Sequence, residues 1–332
     1  MKRVAMSFAV LIAGTLLSGL LFHAAAAVKE GEFTIKVAYI VNPTDPRHKG
    51  AEYFAKAVEE KTQKRVKVNL FPSGQLGPER EIIKGLESGA IEMSTLATAM
   101  LANFVPEFAV FDLPYLVSKP EDITRVIDGK TGAELLEKLT PKGIIGLSYW
   151  EASFRHLYTK KPVASMADLK GMKIRVPGNP VYTSALKAMG ASPTPMTVGE
   201  VYTALQQGTV DGAENVLSYI YASKHYEIVK NLAMTYHAVL PVVLMISAKY
   251  YKTLPPDIQK VVVDASKEAG LYERKLEADS GLQDLEKMKA AGVKVTTPDL
   301  GPFVSSTKKI YAEFEDKLGK DLINRILDAT KK

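Results

Sequence analysis

The sequence has no cysteine, one tryptophan and five histidines among 332 residues. Without cysteine there is no disulfide, no thiol nucleophile, no Cys-ligated metal and no lipid attached at a cleavage-site cysteine. A chain of this size must then be held by its own core. Beyond Phe22 no apolar run is long enough to span a membrane. The charges, formally +6, alternate in sign as in "KAVEEKTQKRVK", and no basic block is present to grip nucleic acid. Enzyme signatures are missing as well. "DGKTG" has part of a phosphate-binding loop, but Thr124 stands where the loop needs its first glycine. G-x-S-x-G, G-x-G-x-x-G and H-E-x-x-H do not occur. His23, His48, His156, His225 and His237 lack a metal-ligand spacing and read as surface or core histidines. No cofactor and no metal are expected.

What is present begins with Lys2 and Arg3, an apolar run from Val4 to Phe22, and "HAAAAVKE". This pattern predicts a secretory signal peptide cut after Ala26 or Ala27, in preference to a retained anchor. Cutting after Ala27 leaves 305 residues and a formal charge of +4. Strand-like and helical stretches then alternate. "FTIKVAYI" (33–40), "KRVKVNLF" (64–71), "IEMSTLA", "GIIGLSYW", "MKIRVP" and "VVLMISAKY" read as strands. "GAEYFAKAVEEKT" and Pro78–Gly89 read as helices, with Pro78 at the first position and Gly89 beyond the last. Such alternation predicts α/β layers with largely parallel sheets. From Pro256 to Ala291 no proline interrupts a helical composition, and only Gly270 and Gly281 weaken it. A helix that long exceeds one domain's width and is expected to brace two.

The stretch "GEVYTALQQGTVDGAEN" (199–215) concentrates carboxylates. Thr197 and Glu200 form a T-x-x-E capping box, which accounts for Glu200 locally. Val198, Val201 and Leu205 share an apolar face, and Gly208 ends the helix. Asp211-Gly212 predicts a turn. Asp211 and Glu214 are either turn and cap residues or functional carboxylates, as in a secreted hydrolase. Two arginines stand out. Arg175 lies in "GMKIRVP" and Arg155 follows Trp150 in "SYWEASFRHLY". Each is either an exposed basic strand residue or a two-pronged clamp for an anion, a geometry the planar guanidinium supplies and lysine does not. Trp150 suits either the apolar face of a sugar ring or the plug of a core. Tyr39, Tyr149 and Tyr221 are candidates to reach ligand hydroxyls.

"FPSGQLGPERE", "FVPEFAVFDLPYL", "KPVASMADLKGMKIRVP", "GASPTPMTVGEVYTALQQGTVDGAEN" and "SKHYEIVKNLAMTYH", running on to "TTPDLGPF", resemble in order the substrate-binding proteins of tripartite ATP-independent periplasmic (TRAP) transporters. The resemblance covers essentially the whole chain after the leader. It implies a two-domain α/β periplasmic binding protein of Venus-flytrap type, with interwoven domains and a long bracing C-terminal helix. Residues 1–27 are taken as the signal, 28–152 with 241–281 as one domain, and 153–240 with 282–332 as the other. It further implies that Arg175 pairs with a ligand carboxylate, that Arg155 assists, and that Asn215 lies in the cleft, with Glu79 at the cleft edge. Delivery to a small and a large integral membrane subunit follows from the same resemblance. The chain departs from the family at Ala213 and Val216, at Val198, and at Met100, where sialic-acid binders carry arginine. Sialic acid is therefore not expected. The Arg155 position and the aromatic-rich "SYWEASFRHLY" resemble sugar-acid binders more than the dicarboxylate branch, so a sugar acid such as a hexuronate is expected as ligand, ahead of a C4-dicarboxylate or 2-oxo acid, in a non-enzymatic periplasmic protein. A sensing role alongside a membrane receptor would use the same cleft.

Overall fold

The computed structural model describes residues 30–330, so the expected signal peptide and His23 lie outside the described residues. Nine strands form one mixed sheet. They are β1 (Phe33–Ala38), β2 (Val66–Phe71), β3 (Met93–Ala97), β4 (Ile144–Thr159), β5 (Lys173–Val176), β6 (Ser192–Pro195), β7 (Gly212–Asn215), β8 (Asn231–Ser247) and β9 (Lys294–Thr296). Their order is β2-β1-β3-β8-β4-β7-β5-β6, with β9 on the free edge of β8. Parallel pairs lie at both ends of the sheet, β1 with β2 and β5 with β6. The centre is antiparallel, because β4 and β8 run against each other from Ile144↔Ser247 to Thr159↔Asn231. The largely parallel sheet expected from the alternation of elements is thus corrected to a mixed one.

The long pair β4–β8 makes two halves out of one sheet. Its Ser247 end is flanked by β3 through Val242–Ile246. Its Asn231 end is flanked by β7 and β9. The ladder is broken between Trp150 and Ala152 and again between Arg155 and Leu157. At the first break Glu151 adopts φ +39, and near the second Tyr236 of β8 has φ +48. An extra residue in one strand bends it and increases its twist, so the chain changes direction where it passes from one half to the other.

Two helices of the first half carry their own punctuation. In α1 (Pro46–Lys61) the Asp45 carboxylate caps the Arg47 N–H, and Phe54 and Val58 are buried. In α2 (Glu79–Ser88) Pro78 is the cap, one residue earlier than expected, and Gly89 closes the helix at φ +84. A single helix of 35 residues runs from Pro256 to Ala290, about 52 Å at 1.5 Å per residue. It packs on α1, on β4 and on the short helix Leu217–Ala222, and so touches both halves, as the bracing role requires. Gly270 is a contact point, because a Cβ there would stand 2.7 Å from the Tyr149 carbonyl and 2.9 Å from the Trp150 ring. The C-terminal helices Gly301–Leu318 and Lys320–Ala329 bury Phe314, Leu322 and Ile326 with Ile123 and Leu135. Among the described residues, no helix is long and apolar enough to cross a membrane.

Candidate functional site

The bend between the halves encloses a cavity of about 40 Å³ lined by Ile40, Arg47, Glu79, Met100, Arg155, Arg175, Asn215 and Tyr219, among others. It adjoins a groove of about 200 Å³ between the loop 73–79 and Thr197–Gly199. A single water occupies roughly 30 Å³ of liquid, whereas small-molecule pockets run to roughly 300–1,000 Å³. The cleft is therefore narrow where these residues meet, and seating a sugar-sized ligand there requires side chains or the halves to move.

Arg175 comes from β5, where Ile174 and Val176 bury the neighbouring positions. Its side chain is 3% exposed. The Nε and Nη2 groups donate to the Met196 carbonyl at 3.1 and 2.8 Å. No carboxylate contacts it among the described residues. Burial pulls its pKa below the usual arginine value, the signature of a cation taken out of water without a paired anion. The exposed-residue alternative for Arg175 is thereby corrected.

Arg155 sits on β4, also buried, but its fork is occupied. Its Nη2 donates to the Glu214 Oε1 at 2.7 Å and to the Glu214 carbonyl at 2.9 Å, and its Nε donates to Oε2. His237 Nε2 lies 3.3 Å from the same carboxylate. Burial alone would raise the Glu214 pKa, yet the guanidinium overrides it and holds the group down at about 2. Glu214 is therefore neither turn nor cap. The turn expected at Asp211-Gly212 is only a bend at Asp211, and residues 212–215 form a strand, in which Ala213 pairs with Arg175 and Asn215 with His156. Asp211 pins the start of that strand, its carboxylate accepting the Lys173 N–H at 2.8 Å. Glu214 is taken up by Arg155 and His237, and Asp211 holds the β5–β7 junction through one of its oxygens.

Asn215 does line the cavity, and its Oδ1 accepts the Val216 N–H at 3.0 Å, which leaves the amide N–H groups as donors. Glu79 opens α2 at the opposite wall, 5% exposed. Burial raises its pKa to about 7 against the pull of Arg175 and Arg47. The capping box at Thr197 and Glu200 is present, with the Thr197 N–H donating to Glu200 at 2.8 Å. Val198 leaves the apolar face expected of it and lines the cavity, while Val201 and Leu205 stay buried.

Several expected ligand contacts lie elsewhere. Trp150 is fully buried among Ile35, Phe54 and Val262, its indole N–H donating to Ser148, so the core-plug alternative holds and it is absent from the cavity wall. Tyr39 bonds His48, Tyr149 donates to the Gly132 carbonyl, and Tyr221 stacks on Tyr226. None of the three lines the cavity. Tyr219 and Arg47 do, and the sequence reading missed both. Arg47 pairs with Asp45 at 3.2 Å and with Glu151 at 3.3 Å. The only cue was its place two residues after the cap Asp45, which marks a helix start and gives no hint of a cavity. Among the described residues no group of three or more His, Asp or Glu side chains is placed to hold a metal.

Two halves joined by a bent strand pair thus meet at a cavity lined both by Arg175, a buried cation with no carboxylate in contact among the described residues, and by Glu79. Comparison with known proteins gives the family. Residues 37–317 match the bacterial extracellular solute-binding proteins, family 7 (DctP), and the chain belongs to that family; it is a TRAP substrate-binding protein. The 2,3-diketo-L-gulonate-binding periplasmic protein YiaO of Escherichia coli K12 is 34% identical over 80% of this chain and 81% of its own. A TRAP periplasmic solute-binding protein from Polaromonas sp. JS666, bound to D-erythronate, superposes with a TM-score of 0.88 at 35% identity, covering 90% of this chain and all of that one. One from Pseudomonas putida F1 with D-glucuronate gives 0.86 at 33% identity, covering 90% and 98%.

Proposed function

We propose that the protein captures a monoanionic sugar acid, a hexuronate first among them, in the periplasm and delivers it to the two membrane subunits of a TRAP transporter. The observation that carries this reading is the imbalance between the two arginines. Arg175 is buried with a carbonyl partner only, whereas Arg155 is already matched by Glu214. One carboxylate offsets the one unmatched cation. A second carboxylate would face Glu79 across the cleft and an Arg47 whose charge is held by Asp45 and Glu151. A hydroxyl fits that wall better, since a carboxyl with a pKa about 7 donates or accepts as needed. Erythronate and glucuronate, the ligands of two of the similar structures, are hydroxylated acids, while another similar structure holds succinate, so the choice over a C4-dicarboxylate rests on the Glu79 wall. The apolar Met100 in the wall speaks against sialic acid. Binding without turnover is part of the same proposal, because Asp211 and Glu214 are both engaged in the fold.

Titration calorimetry of the mature protein with D-glucuronate, D-galacturonate, succinate and pyruvate tests it. A sugar acid is expected to bind at least tenfold more tightly than succinate and to be recovered unchanged. Heat from succinate or pyruvate with none from any sugar acid would refute the ligand class.

A further inference from the structure

Behind the cavity, where β4 breaks and the long helix crosses it, four carboxyl groups are buried together. Asp45 comes from the cap of α1, Glu151 from the break itself, and Glu273 and Glu277 from successive turns of the long helix. All four are at most 2% exposed. The cation in contact with them is Arg47, which reaches Asp45 and Glu151. Arg155 acts on Glu151 from further along β4, and Tyr219 of the helix Leu217–Ala222 lies under the Arg47 guanidinium at 5.8 Å. Glu273 accepts the Glu151 N–H at 2.7 Å, and Glu277 accepts the Ser218 hydroxyl at 2.6 Å. One oxygen on each of Glu151, Glu273 and Glu277 is buried with no hydrogen-bond partner. An ionised carboxylate does not stay buried with an orphan oxygen at low cost, whereas a protonated one has a proton to share with its neighbour.

The cluster also straddles the seam. Asp45, Arg47 and Glu273 lean on the first half, while Glu277 is tied to Ser218, which follows β7 in the second half. Glu273 and Glu277 are one turn apart on the same helix, so rotation of one half against the other moves that pair as a unit relative to Asp45, Glu151 or Ser218. Arg47 lines the ligand cavity and pairs with two of the four, so the cavity and the cluster share a residue.

We propose that closure of the two halves round the ligand is coupled to proton uptake by the Asp45–Glu151–Glu273–Glu277 cluster, with Arg47 as the positioning residue between cluster and cavity. Closing brings the carboxyls out of water and together, and a proton relieves their mutual repulsion. Opening lets them hydrate and release it. The direction of the shifts agrees: burial, then neighbouring carboxylates against the pull of Arg47, pushes Glu151 up to about 8, and burial and Glu277 push Glu273 up to about 8. Glu277 is raised well above its ordinary range by burial and Glu151. The closed state thus holds more protons than the open one between the ordinary carboxyl range and about pH 8. Closure weakens as pH rises through that window, at most tenfold per pH unit for one proton.

The chain has no native cysteine, so two engineered cysteines, one per half, take spin labels without ambiguity. In the unliganded protein the open fraction in the distance distribution is expected to rise between pH 6 and 9, and to depend much less on pH in the Glu273→Gln/Glu277→Gln variant, which keeps Glu151. A wild-type distribution that does not change with pH overturns the proposal, whether or not the variant folds. With whichever acid of the calorimetry panel binds, heats in buffers of different ionisation enthalpy at pH 7.5 are expected to report net proton uptake, clearly reduced in the double variant. Glu79 also faces the ligand and is the rival source. Uptake that vanishes in Glu79→Gln but persists undiminished in Glu273→Gln/Glu277→Gln would assign the proton to the cavity and overturn the hinge assignment. Failure of every acid to bind would count against the proposed function alone, because the unliganded measurement still decides this one.

Discussion

Arg155 and Arg175 share one wall of the cavity, yet their partners dictate opposite outcomes on truncation. Arg175→Ala removes a buried cation that has no anion in the fold, so the unliganded melting temperature should change little while sugar-acid affinity falls by at least a hundredfold. Arg155→Ala strands Glu214 without its counter-charge, and breaking a buried pair in that way costs about 3–5 kcal/mol. Thermal unfolding with and without ligand separates the two: a large drop for unliganded Arg175→Ala would make that residue structural. His156 offers a second test at this scale. Burial, with His237 close by, lowers its pKa to about 3, so the native state keeps it neutral while the unfolded chain takes up a proton below about pH 6.5. Compared with His156→Gln, the wild type should lose up to about 1.4 kcal/mol per pH unit as pH falls from 6.5 towards 3. The buried carboxyls with raised pKa act in the reverse direction, but they are common to both proteins and cancel in the difference. A pH-independent difference in urea titrations would mean that His156 is charged in the fold.

Among the elements, the two glycines of the long helix make a pair of opposite sign. Gly270→Ala gains helix propensity of about 1 kcal/mol, but its Cβ meets the Tyr149 carbonyl at 2.7 Å, and overpacking of that kind costs about 1–3 kcal/mol. At Gly281 the nearest atom, the Leu217 Cβ, is 3.9 Å away, so Gly281→Ala should stabilise by about 0.5–1 kcal/mol. Urea midpoints that moved the same way for both would refute the close-approach argument. The contrast also marks how far the sequence was legible. Composition alone announced the helix and both glycines, but which glycine touches β4 depends on a partner more than a hundred residues away. Six strands were readable from alternation. The additional strands β6, β7 and β9 have only three or four residues each, too short for a period to register, and "DGAEN" carries the residues of a turn. The extension of β4 past Trp150 was hidden because Glu151 and Arg155 interrupt its apolar pattern and are matched only by residues distant in the chain. Arg175, Arg155, Asn215 and Glu79 do converge on one cavity. That Arg155 is spoken for by Glu214 was beyond sequence, since the two are 59 positions apart.

For the molecule as a whole, a cavity of about 40 Å³ admits a hexuronate only if side chains or the halves move, and closure round the ligand requires the halves to do so. Small-angle scattering should therefore report a smaller radius of gyration with saturating D-glucuronate than without. An unchanged radius would mean that the ligand enters without hinge motion. The antiparallel pair β4–β8, which ties the halves together, also governs when the two halves can join. β3 finds its second partner only in Val242–Ile246, and β4 is hydrogen-bonded along its whole length to residues that emerge from the ribosome some seventy or more positions later. The β3–β8 and β4–β8 pairings cannot form until Ser247 has been made. Pairings this distant close slowly, so the joining of the two halves comes late in synthesis. The topology thus postpones the joining of the two halves without a dedicated inhibitor.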